Sequence, residues 1–347
     1  MHTTGVLLGI VACLTLLLGP GVQEVSPGEP AKPEFTLKLM GINRTLDPWK
    51  LFEEWAQSVE KRSNGRVKFE FTSLPELGLG GAETIRVIKT GVVDVAEVYG
   101  GYVAGELPML EILEIPGIFP DPETAKKSIL AWKPHEAKVL EERANAIMLA
   151  MAVYPDQAIF SKRPVRTLED FKGLKTRVHS VALASLVAGL EGEPLTVAFA
   201  EVYTALERGT LDAAITGTKP GLGLRWYEVA KYLVGPISMR PHISLAINRN
   251  VWKRLPKDLQ AVLREEAEAI VEGKAFEAIE AWNREGIDKN VEKGMEHQPF
   301  SPEVQAAIKE TLRTKVVPDW VRRAGGQVAA QRFNEIIAPL VGFTVSP

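Results

Sequence analysis

The chain has 347 residues, 46% hydrophobic and 24% charged, which excludes a wholly disordered chain, a coiled coil and a multi-span membrane protein. At roughly 150 residues per domain, the length predicts about two domains with a cleft between them. With 41 Lys and Arg against 44 Asp and Glu, the net charge of -3 gives no footprint for nucleic acid or an anionic membrane surface, and the single cysteine, Cys13, forbids an intrachain disulfide or a thiolate metal cluster.

In chain order, Gly5 to Gly19 is an uncharged apolar run. It suits a signal-peptide core and falls short of the ~20 residues a spanning helix needs. Residues 1–23 are therefore expected to be a signal peptide or N-terminal anchor, which predicts an exported, periplasmic or extracytoplasmic protein. Residues 24–33 are expected to be a linker, because Val25 to Pro33 is rich in Pro and small or polar residues without an apolar period. Alternation of Phe35, Leu37 and Leu39 predicts a strand, and Asp47-Pro48 predicts a helix N-cap with Pro at the first helical position. Phe52, Ala56 and Val59 would form that helix's buried face, Gly65 would close it, and Val67, Phe69 and Phe71 would begin the next strand.

The same grammar predicts a helix near Ala82 to Thr90, a strand at Val92 to Tyr99, helices at Pro122 to Trp132 and His135 to Arg143, and a strand at Ala146 to Val153. A second set follows, with a short helical turn capped by Thr167, a strand at Leu174 to Val178, helices at Val181 to Leu190 and Phe199 to Arg208, and a strand at Leu211 to Thr216. Strand-helix alternation of this kind predicts an α/β fold with largely parallel sheets. Ser238 to Asn248 reads as a strand returning to the first lobe. Pro256 starts a helix with one buried face over about 25 residues, long enough to buttress both lobes. Two more helical patterns, around Glu303 to Thr314 and Gln327 to Leu340, end the chain.

Residues 83–94 and 201–212 share Glu, Gly and Asp at identical spacing: Glu83, Gly91 and Asp94 against Glu201, Gly209 and Asp212. The match predicts two like-built lobes, lobe 1 over 34–153 and lobe 2 over 154–240, then a return to lobe 1 with the long helix over 241–301 and C-terminal helices packing on the lobes over 302–347. The glycines are expected to turn the chain through a left-handed conformation at helix ends, and the acidic residues to be structural. Strand ends at Tyr99 and Thr216 should face the cleft, because α/β sheets present ligands at the carboxyl ends of their strands.

The five histidines are scattered without metal-ligand spacing, no phosphate-binding or nucleophile-elbow motif is complete, and the Glu265, Glu266 and Glu268 cluster reads as a solvated helix face. No catalytic residue, metal or cofactor is predicted, and an enzyme is not expected.

One segment carries a specific signal. Asp170-Phe-Lys-Gly173-Leu-Lys175-Thr-Arg177-Val resembles the D-x-K-G-L-K-x-R-V block of the extracytoplasmic solute receptors of TRAP transporters, the DctP-like family. Glu201-Val-Tyr203-Thr-Ala205-Leu206 with Gly209 and Asp212 resembles a second family block, and the similarity runs from about Phe35 to about Leu312. The resemblance implies a two-lobe, periplasmic-binding-protein-like fold with a long helix spanning both lobes, closing on a small organic acid and delivering it to membrane permease subunits. It places Arg177 as the group that binds the substrate carboxylate, a role its planar, permanently charged fork suits. Gln157 stands where many relatives carry a second arginine, which points to a monocarboxylate, and Ile215-Thr216 replaces the Glu-Trp pair of relatives that bind 2-oxo acids with a cation. Thr216, Tyr99, His179 and Trp226 are the remaining candidate contacts, and His242 is expected to pack. Hinges are expected at Ala146 to Ser161 and Ser238 to Asn248. A sensory or chemotaxis receptor using the same cleft without transport is the alternative.

Overall fold

The computed structural model describes residues 32–347; the export segment and most of the expected linker lie outside the described residues. Eleven strands are formed: β1 (Phe35–Gly41), β2 (Val67–Ser73), β3 (Val95–Tyr99), β4 (Ala146–Val153), β5 (Gln157–Ser161), β6 (Lys175–Val178), β7 (Glu193–Thr196), β8 (Ala213–Gly217), β9 (Tyr232–Ile237), β10 (His242–Asn248) and β11 (Glu296–Gln298). They build two sheets, in the orders β2-β1-β3-β10-β4 and β11-β9-β5-β8-β6-β7. Without β11 the two orders are the same. Each sheet has a parallel trio (β2-β1-β3 and β7-β6-β8), then an antiparallel strand delivered from the other sheet (β10 and β5), then an outer strand (β4 and β9).

The sheets are therefore mixed, where alternation alone predicted largely parallel ones. The reason is the double crossover. The chain leaves the first sheet through β4 toward the cleft and enters the second through β5 running away from it, against the direction of β8; β9 and β10 make the reverse passage. The crossovers touch, since the Tyr154 amide donates to the Pro241 carbonyl at 2.8 Å.

The internal repeat has one physical meaning in both lobes. Gly91 and Gly209 take left-handed conformations (φ 77° and 74°), and the aspartate three residues later locks onto the start of the neighbouring strand. Asp94 donates its amide to the Lys38 carbonyl (2.9 Å) and accepts from the Lys38 amide (2.8 Å); Asp212 does the same with Lys175 (2.8 and 3.1 Å). Both carboxylates extend a parallel ladder.

The helix Asp47–Arg62 buries Phe52, Ala56 and Val59 as the spacing predicts, but its cap is Leu46, and Asp47 lies inside the first turn. The Asp47 carboxylate pairs instead with Lys219 at 3.0 Å. The two helices expected on either side of Pro134 are one, Pro122–Ala144. An internal proline costs a helix about 3 kcal/mol, and the buried face formed by Ile129, Trp132, Glu136 and Leu140 outweighs it. Thr167 does not cap by accepting; its amide and hydroxyl donate to the Asp170 carboxylate. The segment after β7 is a 3-10 turn, Phe199–Glu201, followed by a short helix, Val202–Glu207.

The long helix runs farther than its apolar period suggests, as Lys257–Glu266, a π-helical stretch Ala267–Gly273, and Lys274–Glu292. It bears on both sheets. On the first side the Trp55 indole donates to the Leu263 carbonyl (3.1 Å) and Glu272 accepts the outward amide of edge strand β4 at Met151 (3.0 Å). On the second, Asn290 donates to the Thr218 carbonyl (3.0 Å) and Glu285 pairs with Lys219 (2.8 Å). Among the described residues no helix is long and apolar enough to cross a membrane.

Candidate functional site

The carboxyl ends of β1, β3, β6 and β8 converge where the two sheets face each other. Between them lies a compact cavity, about 30 Å³ as measured for the centres of water molecules, enough for about two or three waters. The first sheet's side supplies Ile42, Leu46, Tyr99 and Tyr102, and the β4–β5 crossover supplies Tyr154. The second side supplies Gln157, Arg177, His179, Phe199 and Thr216. Gln157 reaches the cleft because β5 is antiparallel to β8, so its first residue pairs with Gly217 at the end of β8.

Arg177 dominates the site. It is 2% exposed, and among the described residues no carboxylate pairs with it. Its Nε donates to the Val197 carbonyl and one Nη to the Ile215 carbonyl, both at 3.0 Å, and the guanidinium lies 5.8 Å from the Phe199 ring centre. Two backbone carbonyls thus fix the plane of the fork. Burial pushes its pKa down from the usual arginine value, while the neighbouring Tyr102 hydroxyl pulls it up. A guanidinium out of water with no countercharge is a costly arrangement that an incoming anion relieves.

The aromatic groups are largely committed to one another. The Tyr99 hydroxyl and His179 Nε2 are 3.0 Å apart, and burial, with Arg177 adjacent, holds the His179 pKa well below its usual value, so the ring is neutral. Tyr154 donates to Glu97 at 2.6 Å, and the other oxygen of that carboxylate accepts the Ile42 amide at 2.7 Å. Full burial raises Glu97 to about 7. Gln157 donates through Nε2 to the Pro155 carbonyl at 3.2 Å, which leaves its Oε1 buried without a donor.

Residues 46–319 match the family model DctP, bacterial extracellular solute-binding protein, family 7. The chain belongs to that family. Its members are solute receptors and not enzymes. A solute-binding protein of Albidiferax ferrireducens is 28% identical over 253 residues, covering 69% of this chain and 70% of the relative. Among solved structures, the Bordetella pertussis extracytoplasmic solute receptor DctP7, which binds pyroglutamic acid, superposes with a TM-score of 0.81 at 23% identity over 89% of this chain and 99% of its own. A TRAP periplasmic solute-binding protein of Desulfovibrio salexigens with bound orotic acid gives 0.80 at 22% identity over 88% and 99%. The fold is that of the two-lobe TRAP periplasmic binding proteins.

In this family 7 protein the lobes are bound together around the cavity. Besides Tyr99 and His179, Glu111 accepts the Ala182 amide at 2.7 Å, at the N-terminus of the helix Val181–Gly189, and Arg323 from the C-terminal helices holds its second oxygen at 2.6 Å. Asp47 and Lys219 join across the opposite side. Of the residues predicted from sequence, the structure brings Arg177, Gln157, Thr216, Tyr99 and His179 to one cavity. Trp226 is a correction. It is fully buried behind the wall, its ring 5.4 Å from Phe160 and 5.6 Å from Phe199, and does not line the cavity. His242 packs in the first lobe with Nε2 2.8 Å from Glu136.

Ile42, Leu46, Tyr154 and Phe199 were not read from sequence. Applying the strand-end rule to β1 would have found Ile42, whereas Tyr154 needs the crossover to be known. A roomier hollow of about 570 Å³ lies between the C-terminal helices and the second crossover, around Ile118, Phe300 and Phe343. Its cations, Lys309 and Arg313, are exposed at the rim, so it has no desolvated charge to satisfy. No group of three or more His, Cys, Asp or Glu suited to a metal ion occurs among the described residues.

Proposed function

We propose that this protein is the extracytoplasmic receptor of a TRAP-type secondary transporter. In this reading it takes up a compact organic acid bearing one carboxylate, closes its lobes over it and delivers it to the membrane permease subunits. The observation that carries the reading is Arg177: a fully desolvated, geometrically fixed guanidinium without a countercharge at the meeting of the strand ends. Each charge-assisted hydrogen bond to a carboxylate contributes about 1.5 to 3 kcal/mol. The neutral His179 and the amide Gln157 supply no second cation, so a second carboxylate would enter unpaired. Thr216, Tyr99 and Tyr102 would contact the remainder of the ligand.

The cavity's size favours a ligand of few atoms. Pyroglutamic and orotic acids, the compounds bound by the two structural neighbours, are both compact rings with a single carboxylate, which agrees with this reading. The hinges would be the two crossovers, 154–156 and 238–241, with lobes divided as the sequence predicts. There Arg240 sits 3.5 Å from Asp156 and 3.0 Å from Glu280 of the long helix. Ligand would shift the population toward the closed form the permease recognises. Export would follow from the apolar segment Gly5 to Gly19.

Titration calorimetry with matched mono-, di- and tricarboxylic acids tests the proposal, together with mass spectrometry of any solute released from the purified protein. Monocarboxylates of ring size should bind and multiply charged acids should not. Tight binding of a dicarboxylate with no monocarboxylate response would overturn it.

A further inference from the structure

The reading of Arg177 as the carboxylate clamp leaves the other end of the ligand open, and Gln157 specifies it. Of the residues lining the cavity, Gln157 alone has a buried side-chain polar atom without a hydrogen-bond partner among the described residues, its Oε1. Its orientation is not free. Turning the amide over would set Oε1 against the Pro155 carbonyl, acceptor against acceptor, and would lose the 3.2 Å bond from Nε2. The oxygen therefore requires a donor that the protein does not supply.

The other polar groups of the cavity make different demands. Tyr99 and His179 satisfy each other, and Tyr154 gives its proton to Glu97. Arg177, Tyr102 and Thr216 have donors to offer, which suit carboxylate and carbonyl oxygens. Arg177 on β6 and Gln157 on β5 lie on either side of β8, two strand spacings or about 10 Å apart. They approach the cavity from opposite directions, so one compact molecule can present an anion to the first and an N–H to the second.

We propose that the ligand is a compact cyclic amide acid, a lactam carboxylic acid, and that Gln157 selects it by accepting its ring N–H. The inference rests on the carboxylate reading above but fails separately from it. A buried acceptor left unpaired is strongly discriminating, because an analogue without the donor forfeits the bond and still desolvates the oxygen.

The probes are pyroglutamate (5-oxoproline) and its lactone counterpart, 5-oxotetrahydrofuran-2-carboxylate, which replaces the ring N–H by oxygen with the same shape and carboxylate. Calorimetry on the wild-type protein should show the lactam bound at least about tenfold tighter than the lactone. In Gln157→Leu and, as a second variant, Gln157→Met, that ratio should collapse to within about threefold while the lactone still binds. Equal affinities for the two compounds in the wild type would overturn the inference and leave the carboxylate clamp standing. A preference that survives both substitutions would assign the selection to another residue. Binding of neither compound, while another monocarboxylate binds, would overturn the lactam class; binding of no monocarboxylate at all would remove the reading beneath it. The wild-type comparison stands even if a variant does not fold.

Discussion

Replacing Arg177 separates ligand binding from folding. Of the five guanidinium N–H donors, two are held by the Val197 and Ile215 carbonyls, which leaves three for the cavity, in the right plane for a two-pronged grip on a carboxylate. In Arg177→Lys a point charge replaces the fork. The backbone anchors are lost and one bond at most survives to the ligand, a loss of about 3 kcal/mol and so about a hundredfold in Kd. Arg177→Met removes the charge at similar volume and should abolish binding. Its effect on the unliganded fold runs the other way. Relief of an uncompensated buried cation offsets the two carbonyls left unpaired, and stability in urea should change by no more than about 1 to 2 kcal/mol. The assays are calorimetry and the ligand-induced shift in Tm, read beside the urea midpoint without ligand. An affinity within threefold of wild type in Arg177→Lys, or a wild-type ligand response in Arg177→Met, would refute the reasoning.

Glu97 gives a pH signature. Burial raises it to about 7 in the fold, above the ordinary carboxylate value near 4.3, so the folded state holds a proton the unfolded chain has released. Its contribution is fully present below the unfolded value and is lost as pH rises toward 7, about 1.4 kcal/mol per unit and about 3 kcal/mol in all. Urea midpoints at pH 5 and 8 should therefore differ less in Glu97→Gln than in wild type, and an unchanged difference would contradict the assignment. Asp94→Ala and Asp212→Ala each remove a side-chain bond to a strand amide and should cost about 1 kcal/mol of stability without changing the order of preferred ligands, measured by denaturation beside calorimetry. Glu111→Gln loosens the link between the first lobe and the helix Val181–Gly189. It should weaken all bound acids by a common factor of about ten, with a larger radius of gyration in solution scattering; a change confined to one acid would argue against a closure role.

The periodicities that depend on one face of one element were legible in the residues. The strand Ala146–Val153 and the buried stripe of Asp47–Arg62 follow from local burial patterns, and the equal spacing of Gly91 with Asp94 and Gly209 with Asp212 foretold that the lobes repeat. Arg177 was legible because a buried strand carrying an arginine in a recognisable block admits few physical explanations. The short strands β7, β9 and β11 were not, since three to six residues with mixed exposure offer too few alternations to separate strand from loop. Pro134 misled for the opposite reason, because a breaker is a local signal that packing at a distance overruled.

What the residues determined by themselves was the identity of the groups available: one fork-shaped cation, an amide where relatives carry a charge, and no catalytic constellation. Only the tertiary structure decided which of them meet. The reversed entry of β5 sets Gln157 level with the end of β8, and the wall formed by Phe199 leaves Trp226 behind it. Two lobes closing together remove Arg177 from water without giving it a carboxylate. Composition can state that a charge exists, but its energy depends on the solvent and partners around it, and those are fixed by contacts between segments far apart in the chain.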